Sequence, residues 1–351
     1  MDQHRTHGPR FSQCQWAGLD LLTLENEHIC LVVCPALGSQ ILEFRHKATD
    51  LDVLWKNPRL WPPRGPHYSQ PASPRGELYD HLHGGWFVSL PNGFFPENWP
   101  DAAGPALGCH GEMHCVEWQI ESLNADADEV RVCLTGRGVR APLRVERVWR
   151  LSSGSLVLDW TETLINECSH QLPVAWLHHP AFGGPFIEGS HVFAAAHTLR
   201  TPPSQRPELN QLRGDFHGSW PHAPLANESG VRDCSVVPAA GDGAEHVVEL
   251  LDFARGWGGV WNPRLKLGFA LAWDKNLFPC AWSWATGRSD GYPLWGGCHT
   301  VTLQPSTSPM RPFSQLVQSG EVLWIEGFGQ IGTRLQTGFC TDPEQVWVAS
   351  S

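Results

Sequence analysis

The chain divides into short runs of β-forming residues with turn formers between them, and no window repeats with a helical period. LRVERVWRL (143–151) and SLVLDWTETL (155–164) alternate apolar and polar residues, as half-buried strands do. Similar runs are Leu19–Glu25, His28–Cys34, Gln40–Arg45, Glu129–Leu134, Leu143–Leu151, Ser155–Ile165 and Val174–His178. Later ones are His191–Arg200, His246–Phe253, Leu265–Trp273, His299–Gln304, Phe313–Gln318 and Val322–Gln330. Gly, Pro, Asn or Asp separate them. Strands joined by short turns predict antiparallel pairing in an all-β sandwich or Greek key. Residues 1–13 read as a loose polar lead. Two Pro-rich stretches, Asn57–Gly76 and Thr201–Gly230, are long enough to be lids or insertions. With no internal repeat and no clean linker, residues 1–351 are expected to form a single domain.

Charged residues are 17% of the chain, below the roughly 25% of an average domain, so Gly, Pro, His and uncharged polar residues carry much of the surface. The net charge of −11 argues against nucleic acid and anionic membranes, which need basic patches. No run reaches the length of a membrane span, and the polar opening does not resemble a secretory leader. Eleven cysteines without paired spacing predict free thiols and a reducing cytoplasm. Eighteen tryptophans are many: most should fill the core, and a few can serve as flat platforms for sugar rings.

The chemistry concentrates in three places. The first is Asp80–Trp118, where a Gly-, Pro- and aromatic-rich segment precedes HGEMHCVEW (110–118). Read as a strand, that run puts His110, Glu112, His114 and Trp118 on one face. The second is WLHHPAFG (176–183), in which Pro180 is expected to end the ladder and turn His179 into a site. The third is LQPST (303–307), followed by SGE (319–321).

In this order and spacing, GGW, LPN, HGE with Trp118, HHPAFG, LQPST and SGE resemble the aldose 1-epimerase, or galactose mutarotase-like, family, in its HGE-type branch. The resemblance covers about residues 15–335. It implies a large antiparallel β-sandwich, the supersandwich, and interconversion of the anomers of a small-molecule carbohydrate without metal or other cofactor. His110 matches the family's sugar-binding, polarising histidine, with His83 of LHGG as the alternative. His179 matches the histidine that protonates the ring oxygen, a role suited to an imidazole. Trp86, Trp118, His178 and Gln304 are the further candidates for sugar contact.

Gln304 departs from the family, whose general base at this position is a glutamate. An amide does not take a proton at neutral pH. Glu112 is a candidate replacement, and equally a residue that orients His110 or binds a hydroxyl. A non-catalytic sugar-binding protein is one alternative. Another is a metal-dependent cupin-like isomerase, since HLH (81–83) and HGEMH (110–114) offer N and O ligands at alternate positions. No pair of carboxylates flanking a glycosidic bond is recognisable, which argues against hydrolysis.

Overall fold

A computed structural model describes residues 8–61, 78–79, 82–99, 104–203, 210–227, 229–288, 290 and 294–344. Its main strands begin with β1 (Arg10–Trp16), β2 (Leu19–Glu25), β3 (Ile29–Cys34), β4 (Gln40–His46), β5 (Trp86–Ser89) and β6 (Trp118–Ala125). Next come β7 (Glu129–Arg137), β8 (Leu143–Ser152), β9 (Val157–Asn166), β10 (Leu177–Gly183), β11 (His191–Arg200) and β12 (Glu245–Asn262). The last are β13 (Leu267–Trp273), β14 (Cys280–Thr286), β15 (Thr300–Thr302), β16 (Gln304–Ser306) and β17 (Gln330–Cys340), with helix α1 (Phe313–Ser319) between the final two.

These strands pair antiparallel in two facing layers. The front layer runs β1–β2–β3–β4–β5–β10, then β15 and β16, then β14 and the N-terminal part of β12. The back layer runs β6–β7–β8–β9–β17–β13 and the C-terminal part of β12. β12 thus belongs to both layers, and β11 follows it with a register shift between Ala194 and Ala196. Between the layers, Trp86 of the front meets Trp160 of the back at 5.0 Å, and Phe44 meets Phe269 at 4.7 Å.

Alternation drives this burial. Along β8, Leu143, Val145, Arg147, Trp149 and Leu151 all point inward. Arg147 is the exception to apolar filling. Its guanidinium lies 4.3 Å from the Trp118 ring, 4.7 Å from Trp160 and 5.2 Å from Trp149. Its Nε donates to Glu162 Oε1 at 2.7 Å, and His178 Nε2 is 3.2 Å from Glu162 Oε2. Burial alone would raise the Glu162 carboxyl, but Arg147 and His178 outweigh it and hold it below the ordinary carboxylate range.

Several expectations need correction. Phe313–Gln318 is helical. A run this short is not resolved by periodicity, whereas Pro312 before it and the left-handed Gly320 after it are start and stop signals. The expected last strand is interrupted: Leu323–Ile325 is extended, residues 326–329 turn, and Gln330 opens the long closing strand β17, paired between β9 and β13. Residues 10–13 are not lead but part of β1, whose side chains are mostly exposed because it lies at a sheet edge. Pro180 does not end the ladder; it pairs with Trp86 in the middle of β10. Of the Pro-rich stretches, residues 62–76, 204–209 and 228 lie outside the described residues, and the second contains short strands at His217–Ser219 and His222–Pro224. Among the described residues, no helix is long and apolar enough to cross a membrane.

Removing the Glu162 carboxylate leaves Arg147 charged and buried without its partner. Glu162→Ala is therefore expected to cost about 3–5 kcal/mol in urea unfolding. A loss below about 1 kcal/mol would mean that the tryptophan cage alone holds the guanidinium.

Candidate functional site

Strand register builds the floor of a cavity on the outer side of the front layer. Phe87 of β5 is opposite His179 of β10. Ala181 pairs with Thr302 and Leu177 with Ser306, so the same register sets His179 against Gln304. Gln304 in turn pairs with Trp282, and Trp282 with Glu249. Paired residues share a face, so Phe87, His179, Gln304 and Trp282 form one row. The next row contains Ala181, Thr302 and Trp284, and the row beyond it ends in Thr286 and Glu245. Trp55, Phe94, Leu294 and Met310 help enclose the space, with Pro202, Pro203 and Asn210 from the second Pro-rich stretch.

His110 reaches the cavity from a loop. Asn92 holds that loop closed: its Nδ2 donates to Phe95 O and Gly108 O, both at 2.9 Å. His110 has φ of 60° and Gly111 72°. A Cβ on Gly111 would lie 1.9 Å from Leu90 O, so this turn needs glycine. The Glu112 N–H donates to that same carbonyl at 2.8 Å. The LPN and HGE segments are thus one interlocked unit whose geometry presents the His110 ring.

The two imidazoles meet edge-on, with centroids 5.1 Å apart. His179 also stacks on Phe87 at 4.4 Å. His110 Nδ1 is 2.9 Å from Ser89 Oγ. Gln304 Nε2 donates to Thr302 Oγ1 at 2.7 Å, leaving the buried Oε1 without a donor. Burial pushes the His179 imidazole down to about 4. Burial, then the nearby His179 and His114, holds His110 well below the ordinary 6.5. Both rings are therefore mainly neutral at pH 7.

The expected strand at 110–118 is absent: residues 110–117 form turns, and β6 starts only at Trp118. Glycine-containing turns had mimicked alternation. Glu112 consequently does not share a face with His110. Its carboxylate accepts the N–H groups of Val139, Arg140 and Ala141 at 2.8–3.1 Å, in a neighbouring turn. Trp86 and His178 lie on the inner face of the front layer, one residue out of phase with Phe87 and His179. Trp118 covers Arg147 in the core. His83 is buried outside the cavity lining, and its carbonyl accepts the Asn57 N–H. Among the described residues, no three His, Cys, Asp or Glu side chains group as metal ligands; residue 81 lies outside them.

Sequence reasoning missed Phe87, Trp55, Trp282, Trp284 and Glu245. For Glu245 a signal existed: a strand begun one residue earlier than His246 puts Glu245, Val247 and Glu249 on one face. Glu245 is the one carboxylate lining the cavity among the described residues, and its buried Oε2 has no donor.

Burial also pushes His246, on the opposite side of β12, down to about 4. The unfolded chain takes up protons below 6.5, whereas native His179 and His246 resist until about 4. Their contribution to stability is therefore full above 6.5 and lost as pH falls toward 4. Asp52, whose carboxyl burial raises, works in the opposite direction. Urea unfolding between pH 7 and 4.5 is expected to show falling stability, with a shallower fall in His246→Gln. Equal slopes would remove His246 from the account.

Comparison with known proteins places this geometry. No curated protein matches the chain. Solved structures do, at a level of identity that shows the fold alone. A Klebsiella pneumoniae protein provisionally named an aldose 1-epimerase has a TM-score of 0.73 at 14% identity, covering 96% of this chain and 89% of its own. A galactose mutarotase-like protein from Clostridium acetobutylicum has a TM-score of 0.62 at 13%, covering 95% and 99%. A galactose mutarotase-related enzyme from Lactobacillus acidophilus has 0.59 at 14%, covering 93% and 100%. The fold is that of the galactose mutarotase-like sandwiches. The family model for the domain of unknown function DUF4432 matches residues 16–337, and the chain belongs to that family.

Proposed function

We propose that the cavity binds a monosaccharide or related carbohydrate and that the protein interconverts its anomers. The observation that carries this reading is the pair of edge-on imidazoles, His110 and His179, beside Gln304 on an aromatic floor. Phe87, Trp282 and Trp284 offer flat apolar surfaces to the CH faces of a sugar ring. Gln304 Oε1 and Glu245 Oε2, both buried and lacking donors, suit sugar hydroxyls. The fold neighbours named as epimerases or mutarotases support the same substrate class. The eleven free cysteines support a reducing, cytoplasmic setting.

In this reading His179, as imidazolium, gives its proton to the ring oxygen O5 while a base takes the proton of O1. The C1–O5 bond breaks and C1 becomes an aldehyde. Rotation about C1–C2 and closure on the other face give the second anomer, and both protons return. The chemistry uses only side chains of this chain.

Gln304 favours a second reading, in which a sugar is bound without turnover, because an amide does not accept the O1 proton.

One-dimensional NMR of freshly dissolved aldoses, with and without protein, tests both. Faster anomeric equilibration is expected for at least one sugar, and His179→Asn should slow it about a hundredfold or more while remaining folded. With His179 near 4, little imidazolium exists at pH 7, so the rate should rise as pH is lowered from 7 toward 5. A folded, active His179→Asn would remove that residue from the mechanism. Binding without exchange, with exchange created by Gln304→Glu at nearly unchanged affinity, would establish the second reading.

A further inference from the structure

Ring opening needs a proton acceptor, and Gln304 does not supply one. The described titratable side chains lining the cavity are Tyr79, His110, His179 and Glu245. Tyr79 brings a phenol, which at neutral pH offers its proton as a donor rather than acting as a base. Glu245 is four residues along β12 from Glu249, which ends the His179 row, a distance of about 13 Å in an extended strand. His110 adjoins His179 directly. An acid and a base acting on one hemiacetal must reach two oxygens carried by the same carbon, so they must be neighbours.

The hydrogen bonds around Ser89 determine which nitrogen of His110 carries its proton. Ser89 Oγ is 2.9 Å from His110 Nδ1, 2.9 Å from Asn92 O and 3.3 Å from His110 O. A hydroxyl has one proton, and carbonyl oxygens only accept. If that proton pointed at Nδ1, the Asn92 carbonyl would face a bare oxygen lone pair at 2.9 Å in a fully buried position. Ser89 therefore donates to Asn92 O, and Nδ1–H donates to Ser89 Oγ. Nε2 is left with its lone pair. The accepting carbonyl is itself fixed, since the Asn92 side chain ties its loop to Phe95 and Gly108.

We propose that His110 Nε2 is the proton acceptor of the ring-opening step, with Ser89 and the Asn92 carbonyl as positioning groups. The proposal rests on the anomer-interconversion reading above. The O1–H proton moves to Nε2, and the O1–H electron pair becomes the second C1–O1 bond. The C1–O5 pair leaves with O5, which takes the proton of His179. One proton is gained by His110 and one is lost by His179, so the pair keeps its total charge. Closure reverses both transfers. His114 and His179 are the titratable neighbours that face His110, and both disfavour its protonation in the resting site.

The test needs the native protein, His110→Gln and Ser89→Ala. Long-range 1H–15N correlation at pH 7 reads the tautomer without substrate, with the His110 signals assigned by their loss in His110→Gln. The expected result is a protonated Nδ1 and an unprotonated Nε2, with mixed tautomers in Ser89→Ala. On a sugar that the native protein equilibrates, His110→Gln should slow exchange about a hundredfold or more and Ser89→Ala about tenfold. A protonated Nε2, or exchange in His110→Gln within about threefold of native, overturns the assignment and leaves the anomer reading intact. Absence of exchange by the native protein on every sugar overturns that reading and the catalytic role with it. If His110→Gln does not fold, the rate of Ser89→Ala decides: a fall of about tenfold supports the proposal, and a native rate overturns it.

Discussion

Alternation along one strand, β10, separates the buried ion network of this protein from its cavity. His178 points inward to Glu162 and Arg147, and His179 points outward to Phe87 and the cavity. Adjacent residues on a strand necessarily take opposite faces, so the core ion network and the site share a backbone without sharing space. The register of β10 with β5, β15 and β16 then settles which side chains surround His179. A slip of one residue would exchange the two histidines and put the core partner into the cavity.

The loop that carries His110 works by different means. It has no ladder to fix it, and relies on Asn92 bonds, the close approach of Gly111 to Leu90 and the hydroxyl of a buried serine. The result is a second imidazole set at right angles to the first. Burial disfavours a charge on either ring, and the nearby His179 and His114 add to that at His110.

The half-buried strands were legible because their alternation is strong: β8 and β9 read inside and outside residue by residue. The front layer was harder to read. β5, β10 and β14 are buried on both faces or nearly so, and continuous burial erases the period that tells one face from the other. Trp86 and Phe87 are therefore indistinguishable in the sequence, and strand register alone separates the core face of the first from the cavity face of the second. The spacing of HGEMHCVEW imitated a strand because positive-φ turns leave no mark on hydropathy. His179, His110 and Gln304 were legible as a group through motif order. Glu245 was not, because its signal, a face shared with Val247 and Glu249, emerges only when the strand is begun one residue before His246.

β12 runs through both layers, with Glu245 at the cavity end and Asn262 at the far end, and β11 follows it across. A continuous ladder of this kind acts as a girder. The layers cannot slide or hinge against each other without breaking main-chain hydrogen bonds along two strands. Under the proposed function, entry and exit of a ligand fall to what lies outside the ladder, where Leu82, Phe94, Pro202 and Leu294 line the cavity. The floor behaves as a fixed template, set by main-chain pairing rather than by any one side chain.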